Sequence, residues 1–169
     1  TVTSLAAGQV VTFDLTNSSM LNSNSLSSSS SINTGSIDFT MNGQTTTINI
    51  DNSNNTIQGL VNEVNKITGA QASLIDTTGS GGLSLVLKSD LGTTNAFSLS
   101  STNNLSMFNT SGMSSSSTPI KLSVAATDAV FSVDGLSITR STNSITDVFS
   151  GYTLELNKTS SDAVNLNSA

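Results

Sequence analysis

Apolar and polar residues alternate, or recur at helical spacing, most clearly in the middle of the chain. Ile37, Phe39 and Met41 are separated by single polar residues, Asn42-Gly43 supplies a tight turn, and Thr47, Ile48 and Ile50 resume with β-branched side chains. That pattern predicts a hairpin, because strand side chains alternate between faces and Asn-Gly favours the two-residue turns that match strand twist. The period then changes. Ile57, Leu60, Val61, Val64 and Ile67 lie on one stripe of a helix expected at about 56–67, with Asn54 or Asn55 as its N-cap and Gly69 just past its end. Three strands are expected next, over 71–76, 83–88 and 96–100, so the block reads β-β-α-β-β-β.

A shorter version of the same opening recurs near the C-terminus. Residues 130–133 and 136–139 flank Asp134-Gly135, a strong hairpin signal, and the stretch 143–149 resembles an Asn-capped helical turn before a strand at 152–156. Two serine runs, 27–31 and 114–117, separate the patterned segments and read as linkers. They divide the chain into an inserted domain, 32–113, and a discontinuous one built from 1–26 plus 118–169. The expected class is mainly β with minor α: two small β-rich domains, one inserted in the other, with antiparallel hairpins and a single amphipathic helix. The stretches 101–117 and 79–82 are expected on the surface.

Composition changes this picture by elimination. The chain has 169 residues, with neither Cys nor His nor Trp, and its 34 Ser, 24 Thr and 19 Asn make up almost half of it. Cys-His and Ser-His-Asp catalysis, Cys/His zinc sites and disulfide frameworks are thereby excluded. Leu, Ile, Val and Phe together form 26% of the chain, above the roughly 20% below which chains stay disordered. A net charge of −6, with five scattered basic residues, gives no footprint for nucleic acid, and no apolar run is long enough to insert in a bilayer. The chain opens on Thr rather than Met and shows no cleavable leader, which reads as a piece of a longer or processed protein.

Carboxylates are the remaining acid–base groups, but Asp14, Asp38, Asp51, Glu63, Asp76, Asp90, Asp128, Asp134, Asp147, Glu155 and Asp162 form no recognisable pair or cluster. Asp51-Asn52-Ser53-Asn54-Asn55 has alternating oxygen ligands, yet a calcium loop starting there would need Gly and Glu where Thr56 and Asn62 stand. The segment is read as a polar turn into the helix. Gly79-Ser80-Gly81-Gly82 lacks the Lys-Ser/Thr of a phosphate loop and is read as a strand-to-strand tip. No catalytic, cofactor-binding or metal-binding residue is assigned, no cofactor is expected, and the protein is not expected to be an enzyme.

Three segments carry a family resemblance. Gly35–Gly43, Thr56–Asn65, Gly69–Leu74 and Leu83–Ser89 together look like a flagellin hook motif, with Val64-Asn65 standing where that motif has Ile-Asn. The stretch Asp128–Leu156, with Asp134-Gly135, Arg140, Asn143 and Gly151 in place, is similar to the characteristic segment of flagellar hook-associated protein 2, the filament cap family. Thr1–Ala6 resembles that family's entry into its head domains. The resemblance implies a head-domain fragment of a structural assembly protein: a homo-oligomer, outside the cell at the flagellum tip, that promotes flagellin polymerisation and prevents loss of subunits. Its implied partners are flagellin and further copies of itself, with no nucleic acid and no membrane insertion. The alternative is an adhesin or flagellin-like variable domain that binds host mucin or glycans.

Overall fold

The computed structural model describes residues 1–16, 26–77, 79 and 82–163. In chain order these form β1 (Val2–Ser4), β2 (Val10–Asp14), β3 (Gly35–Met41), β4 (Gln44–Ile50), helix α1 (Ile57–Val64), β5 (Ala70–Asp76), β6 (Leu83–Ser89), a 3-10 turn (Thr93–Asn95) and β7 (Phe97–Ser101). A second 3-10 segment (Asn103–Phe108) follows, then β8 (Ile120–Val124), β9 (Ala129–Val133), β10 (Leu136–Arg140), β11 (Ser144–Ile145) and β12 (Leu154–Glu155). The protein is mainly β and antiparallel, with one α-helix, as its pattern predicts.

The predicted hairpins form. Met41 pairs with Gln44 and Val133 with Leu136, each pair flanking a two-residue turn. All four turn residues have positive φ: 52° and 70° at Asn42-Gly43, 49° and 82° at Asp134-Gly135. That is the mirror-image turn which matches strand twist, and it selects Asn, Asp and Gly because a bulkier Cβ is strained there.

Two apolar clusters organise the chain. The larger packs Val11, Phe13 and Leu15 with Leu85 and Leu87 of the β5-β6-β2-β8 sheet against Ile37, Phe39, Phe97 and Leu99 of the β4-β3-β7 sheet. Helix α1 contributes Ile57, Leu60, Val61 and Val64, the stripe its spacing predicts. Phe39 and Phe97 stack with ring centroids 5.0 Å apart, and Phe13 meets Phe108 at 5.9 Å, tilted. The smaller cluster joins Ala6, Ala129, Phe131, Ile145 and Leu156 beneath the β1-β9-β10 sheet and the β11-β12 pair.

Several expectations shift. Strands β2 and β8, assigned from the serine runs to the discontinuous domain 1–26 plus 118–169, hydrogen bond in the sheet of the larger cluster, β2 lying between β6 and β8. The serine runs are tied into that body. The carbonyls of Ser30 and Ser28 accept from the first-turn amides of Ile57 (3.0 Å) and Gln58 (2.8 Å), satisfying donors that a helix start otherwise leaves without partners. Ser114 closes the flank of β8 by accepting from Leu122 N–H at 3.0 Å. The helix N-cap is Thr56, whose hydroxyl accepts from Gly59 N–H at 2.9 Å; Asn54 instead accepts from Asp51 N–H and donates to Asn49. The helix ends at Val64, three residues short of Ile67.

Residues 143–149 contain no helical turn. Ser144 and Ile145 pair with Glu155 and Leu154, and the Asn143 side chain reaches Ala6 rather than a helix amide. Nor is 101–117 all surface: Leu105, Phe108 and Thr110 are buried. At the 79–82 tip, Gly79 is exposed and Gly82 buried, while residues 80 and 81 lie outside the described set.

Candidate functional site

The carboxylates lie apart and serve local structure. Asp51 accepts from Ser53 N–H and Oγ–H, which together hold its carboxyl below the usual carboxylate range. Asp128 accepts from Thr93 N–H at 2.8 Å and Thr93 Oγ–H at 2.9 Å, Glu63 pairs with Lys66 at 2.7 Å, and Asp147 with Arg140 at 2.9 Å. Among the described residues no three Asp or Glu side chains come together as a metal site, and no helix is long and apolar enough to cross a membrane.

The side chains that do converge are amides and hydroxyls, and they converge on sheet edges. Along β7, Phe97, Leu99 and Ser101 turn their backbone groups away from β3, because Ser98 and Ser100 carry the β3 ladder. Each outward residue is met. Gln9, 4% exposed, donates from Nε2 to Phe97 C=O (2.9 Å) and accepts from Phe97 N–H (3.1 Å). Thr110, also 4% exposed, takes Leu99 N–H on its hydroxyl at 2.9 Å and donates its own N–H to Leu99 C=O at 3.0 Å. Asn109 accepts from Ser101 N–H at 2.7 Å. An unpaired strand edge is a template for foreign strands, and these side chains occupy it with bonds of the same kind.

Asn65 does the same on β5, accepting from Ala72 N–H at 2.7 Å and donating to Ala72 C=O at 3.2 Å. This is the Asn of the Val64-Asn65 motif, so its place in the sequence pattern has a physical reason: it fastens the end of α1 to the strand beyond. Asn143 repeats the arrangement within the smaller body, accepting from Ala6 N–H at 2.7 Å and donating to Ala6 C=O at 2.9 Å.

Asn143 belongs to a junction where the chain passes twice between the clusters. Ala7 and Thr127 exchange backbone hydrogen bonds at 2.9 and 3.0 Å, Thr127 Oγ–H donates to Leu5 C=O, and Ser4 Oγ–H donates to Asp128 C=O. Gly92 N–H donates to Ala7 C=O. At Gly8 a Cβ would stand 2.0 Å from Ser89 C=O, so only glycine lets the crossing chain lie against β6. The signals for this junction were faint in sequence. Gln9 is one polar residue beside the Val11/Phe13/Leu15 alternation, and Gly8 is one glycine among twelve.

Beside β4 lies an open groove of about 700 Å³, walled by Gln44, Thr46 and Asn49 on one side and by Glu63, Lys66 and Asp90 on the other. Tyr152 and Leu136, 70% and 71% exposed, are the most exposed large apolar side chains among the described residues.

Residues 126–168 match the family described as Flagellar hook-associated protein 2 C-terminus. In structure, the chain is similar to the flagellar cap protein FliD D1-D2-D3 domains from Escherichia coli, with TM-score 0.73 and 28% identity over 95% of this chain and 47% of that one. The FliD D2-D3 domains from Escherichia coli match with TM-score 0.74 and 26% identity over 95% and 81% of the two chains. The chain resembles the head region of flagellar cap proteins. FliD (HAP2) from Pseudomonas aeruginosa shares the fold, with TM-score 0.74 at 22% identity over 95% and 72%. Comparison with curated protein sequences returned no match. The cap family is structural and not enzymatic. The chain spans about half the length of the Escherichia coli D1-D2-D3 structure.

Proposed function

We propose that the two β bodies form the outward-facing head of a homo-oligomeric filament cap, outside the cell at the flagellum tip, where the whole protein promotes flagellin polymerisation and prevents loss of subunits. The observation that carries this reading is the 28% identity to the Escherichia coli flagellar cap protein over 95% of the chain. The junction supports it physically: Gly92 N–H on Ala7 C=O, and Thr93 N–H and Oγ–H on the Asp128 carboxylate, join the bodies, as a plate that meets arriving subunits requires. In the same reading the domain border runs near Gly8 and Ala126, where the two apolar clusters part, so that residues 9–124 form the inserted outer domain. Neither the fold nor the matched proteins favours the adhesin alternative.

Deletion of the gene encoding this chain tests the reading. The expected result is shortened or absent filaments, with unpolymerised flagellin accumulating in the medium. Long filaments with no free flagellin would overturn it.

A further inference from the structure

Among the strand edges of the larger body, β4 stands open where others are closed. Because Met41 and Gln44 flank a two-residue turn, they form a hydrogen-bonded pair, and the alternation that follows gives Gln44, Thr46, Ile48 and Ile50 to the β3 ladder. Thr45, Thr47 and Asn49 therefore direct their backbone groups outward. Among the described residues only one of these groups is met: Asn49 C=O accepts from Asn54 Nδ2 at 2.9 Å. By contrast β7 is closed at Phe97, Leu99 and Ser101, and β5 is closed over its first half by Ile67 C=O and Asn65. In the smaller body Arg140 covers Thr139 C=O of β10, and Ser160 covers Val2 of β1.

Nor does β4 carry the usual guards of an exposed edge. Its sequence, Gln-Thr-Thr-Thr-Ile-Asn-Ile, has no charge and no proline, and its register with β3 runs from Gly35↔Ile50 to Met41↔Gln44 without a bulge. The groove of about 700 Å³ borders this same strand, a size within the range of ligand clefts. Its charges are specific. Glu63 is paired with Lys66, whereas the Asp90 carboxylate stands beside Gly69, and Asp38, which accepts from Thr47 Oγ–H at 2.6 Å, lies on the other face of the hairpin.

We infer that the β4 edge accepts an extended segment of a partner polypeptide as an added antiparallel or parallel strand, bonded to the backbone of Thr45, Thr47 and Asn49, with the groove holding its side chains. The open backbone groups specify an extended main chain, since no other ligand presents N–H and C=O groups at strand spacing. Asp90 and Asp38 specify a neutral or basic segment rather than an acidic one. Under the cap reading that segment belongs to an arriving flagellin subunit that has not finished folding. The identity of the partner rests on that reading; the strand-accepting edge rests on the hydrogen-bond pattern alone.

The test is an NMR titration of the 15N-labelled 169-residue chain with a short synthetic peptide of alternating Thr and Val carrying one Lys. The expected result is saturable shifts at the Thr45, Thr47 and Asn49 amides, with slowed hydrogen exchange there, and no comparable change at Leu99 or Ser101. Thr47→Pro removes one outward N–H and the exposed Thr47–Asp38 side-chain bond but no ladder bond, so it should lower thermal stability only slightly while weakening the peptide about tenfold. Replacing the probe's Lys by Glu should weaken it further. Absence of shifts at these amides, or equal affinity in Thr47→Pro, overturns the inference. Shifts at the same amides that grow with protein concentration alone would assign the edge to a second copy of the chain and overturn the choice of partner. Each outcome is separable from the cap reading, which is judged by free flagellin in the medium.

Discussion

The two bodies of this chain are held together in different ways. Among the described residues, the larger buries 21 apolar side chains between two sheets and a helix, whereas the smaller buries five beneath short strands. A core so small yields little beyond the entropy cost of ordering its chain. The smaller body makes up the difference with its neighbour: Ala7 C=O accepts from Gly92 N–H, and the Asp128 carboxylate accepts from Thr93 N–H and Oγ–H. The larger body carries an extended core of its own, whereas the smaller one gains order from the junction and from its termini, as in the Val2–Ser160 bridge.

Truncating one buried ring in each body should break that comparison most sharply. Phe131→Ala and Phe13→Ala each remove a side chain no more than 2% exposed and should each cost about 3–5 kcal/mol. In the larger body the loss is spread over twenty other buried residues, and β2, β3 and β6 amides should keep most of their protection from hydrogen exchange. In the smaller body the same loss exceeds what four remaining side chains supply, so β9 and β10 amides should exchange freely while the larger body stays folded. Equal loss of protection in both bodies after Phe131→Ala would show that they unfold as one unit.

A somewhat smaller effect should follow from opening a sealed edge. Gln9→Leu keeps the side chain's approximate size but leaves Phe97 N–H and C=O without partners in a buried site, at about 1–3 kcal/mol for each group. Since Gln9 precedes β2 and Phe97 begins β7, the variant separates the two sheets of the larger body as well as unsealing one of them. Loss of exchange protection at Phe97, with β9 and β10 unaffected, is the expected signature; a neutral Gln9→Leu would mean that water replaces the amide.

How much of this was legible beforehand depends on range. The Asn42-Gly43 and Asp134-Gly135 hairpins and the Ile57–Val64 stripe are set by neighbours within a few positions, and a single sequence contains all the information they need. Strands β2 and β8 were readable in principle from Val11/Phe13/Leu15 and from Ile120/Leu122/Val124, but β8 joins the sheet only by pairing with β2, which lies at the far end of the chain. Serine runs look like linkers by composition, yet Ser28 and Ser30 cap α1 because their carbonyls happen to meet its first turn. Gln9, Asn65, Thr110 and Asn143 were hidden for a related reason: in a chain so rich in small polar residues, those that close an edge cannot be told from those that face water until the edge exists. Asn65 was singled out through the Val64-Asn65 motif, and its bond to Ala72 supplies the physical content; Asn143 was singled out as a helix cap, and its side chain instead grips Ala6.

The smallest effect concerns charge, and it sharpens the contrast between the bodies by salt and pH. Asp147, in the smaller body, is held below the usual carboxylate value of 3.8 chiefly by the hydrogen bond from Arg140; Asp51, in the larger, is held below it by neutral donors from Ser53. A carboxyl with a lowered folded pKa contributes stability at pH above its unfolded value, and that contribution fades as pH falls through the folded value. Both contributions are therefore present at neutral pH and vanish in acid, below about pH 4. Both groups are exposed, so salt screens the Arg140 pair but has little purchase on the Ser53 bonds. In carboxyl-detected NMR titrations, molar salt should move Asp147 toward its ordinary value and leave Asp51 in place, and Arg140→Gln should reproduce the salt effect on Asp147 alone. A shift of both carboxylates by salt would mean that net charge, rather than the local partner, sets their titration.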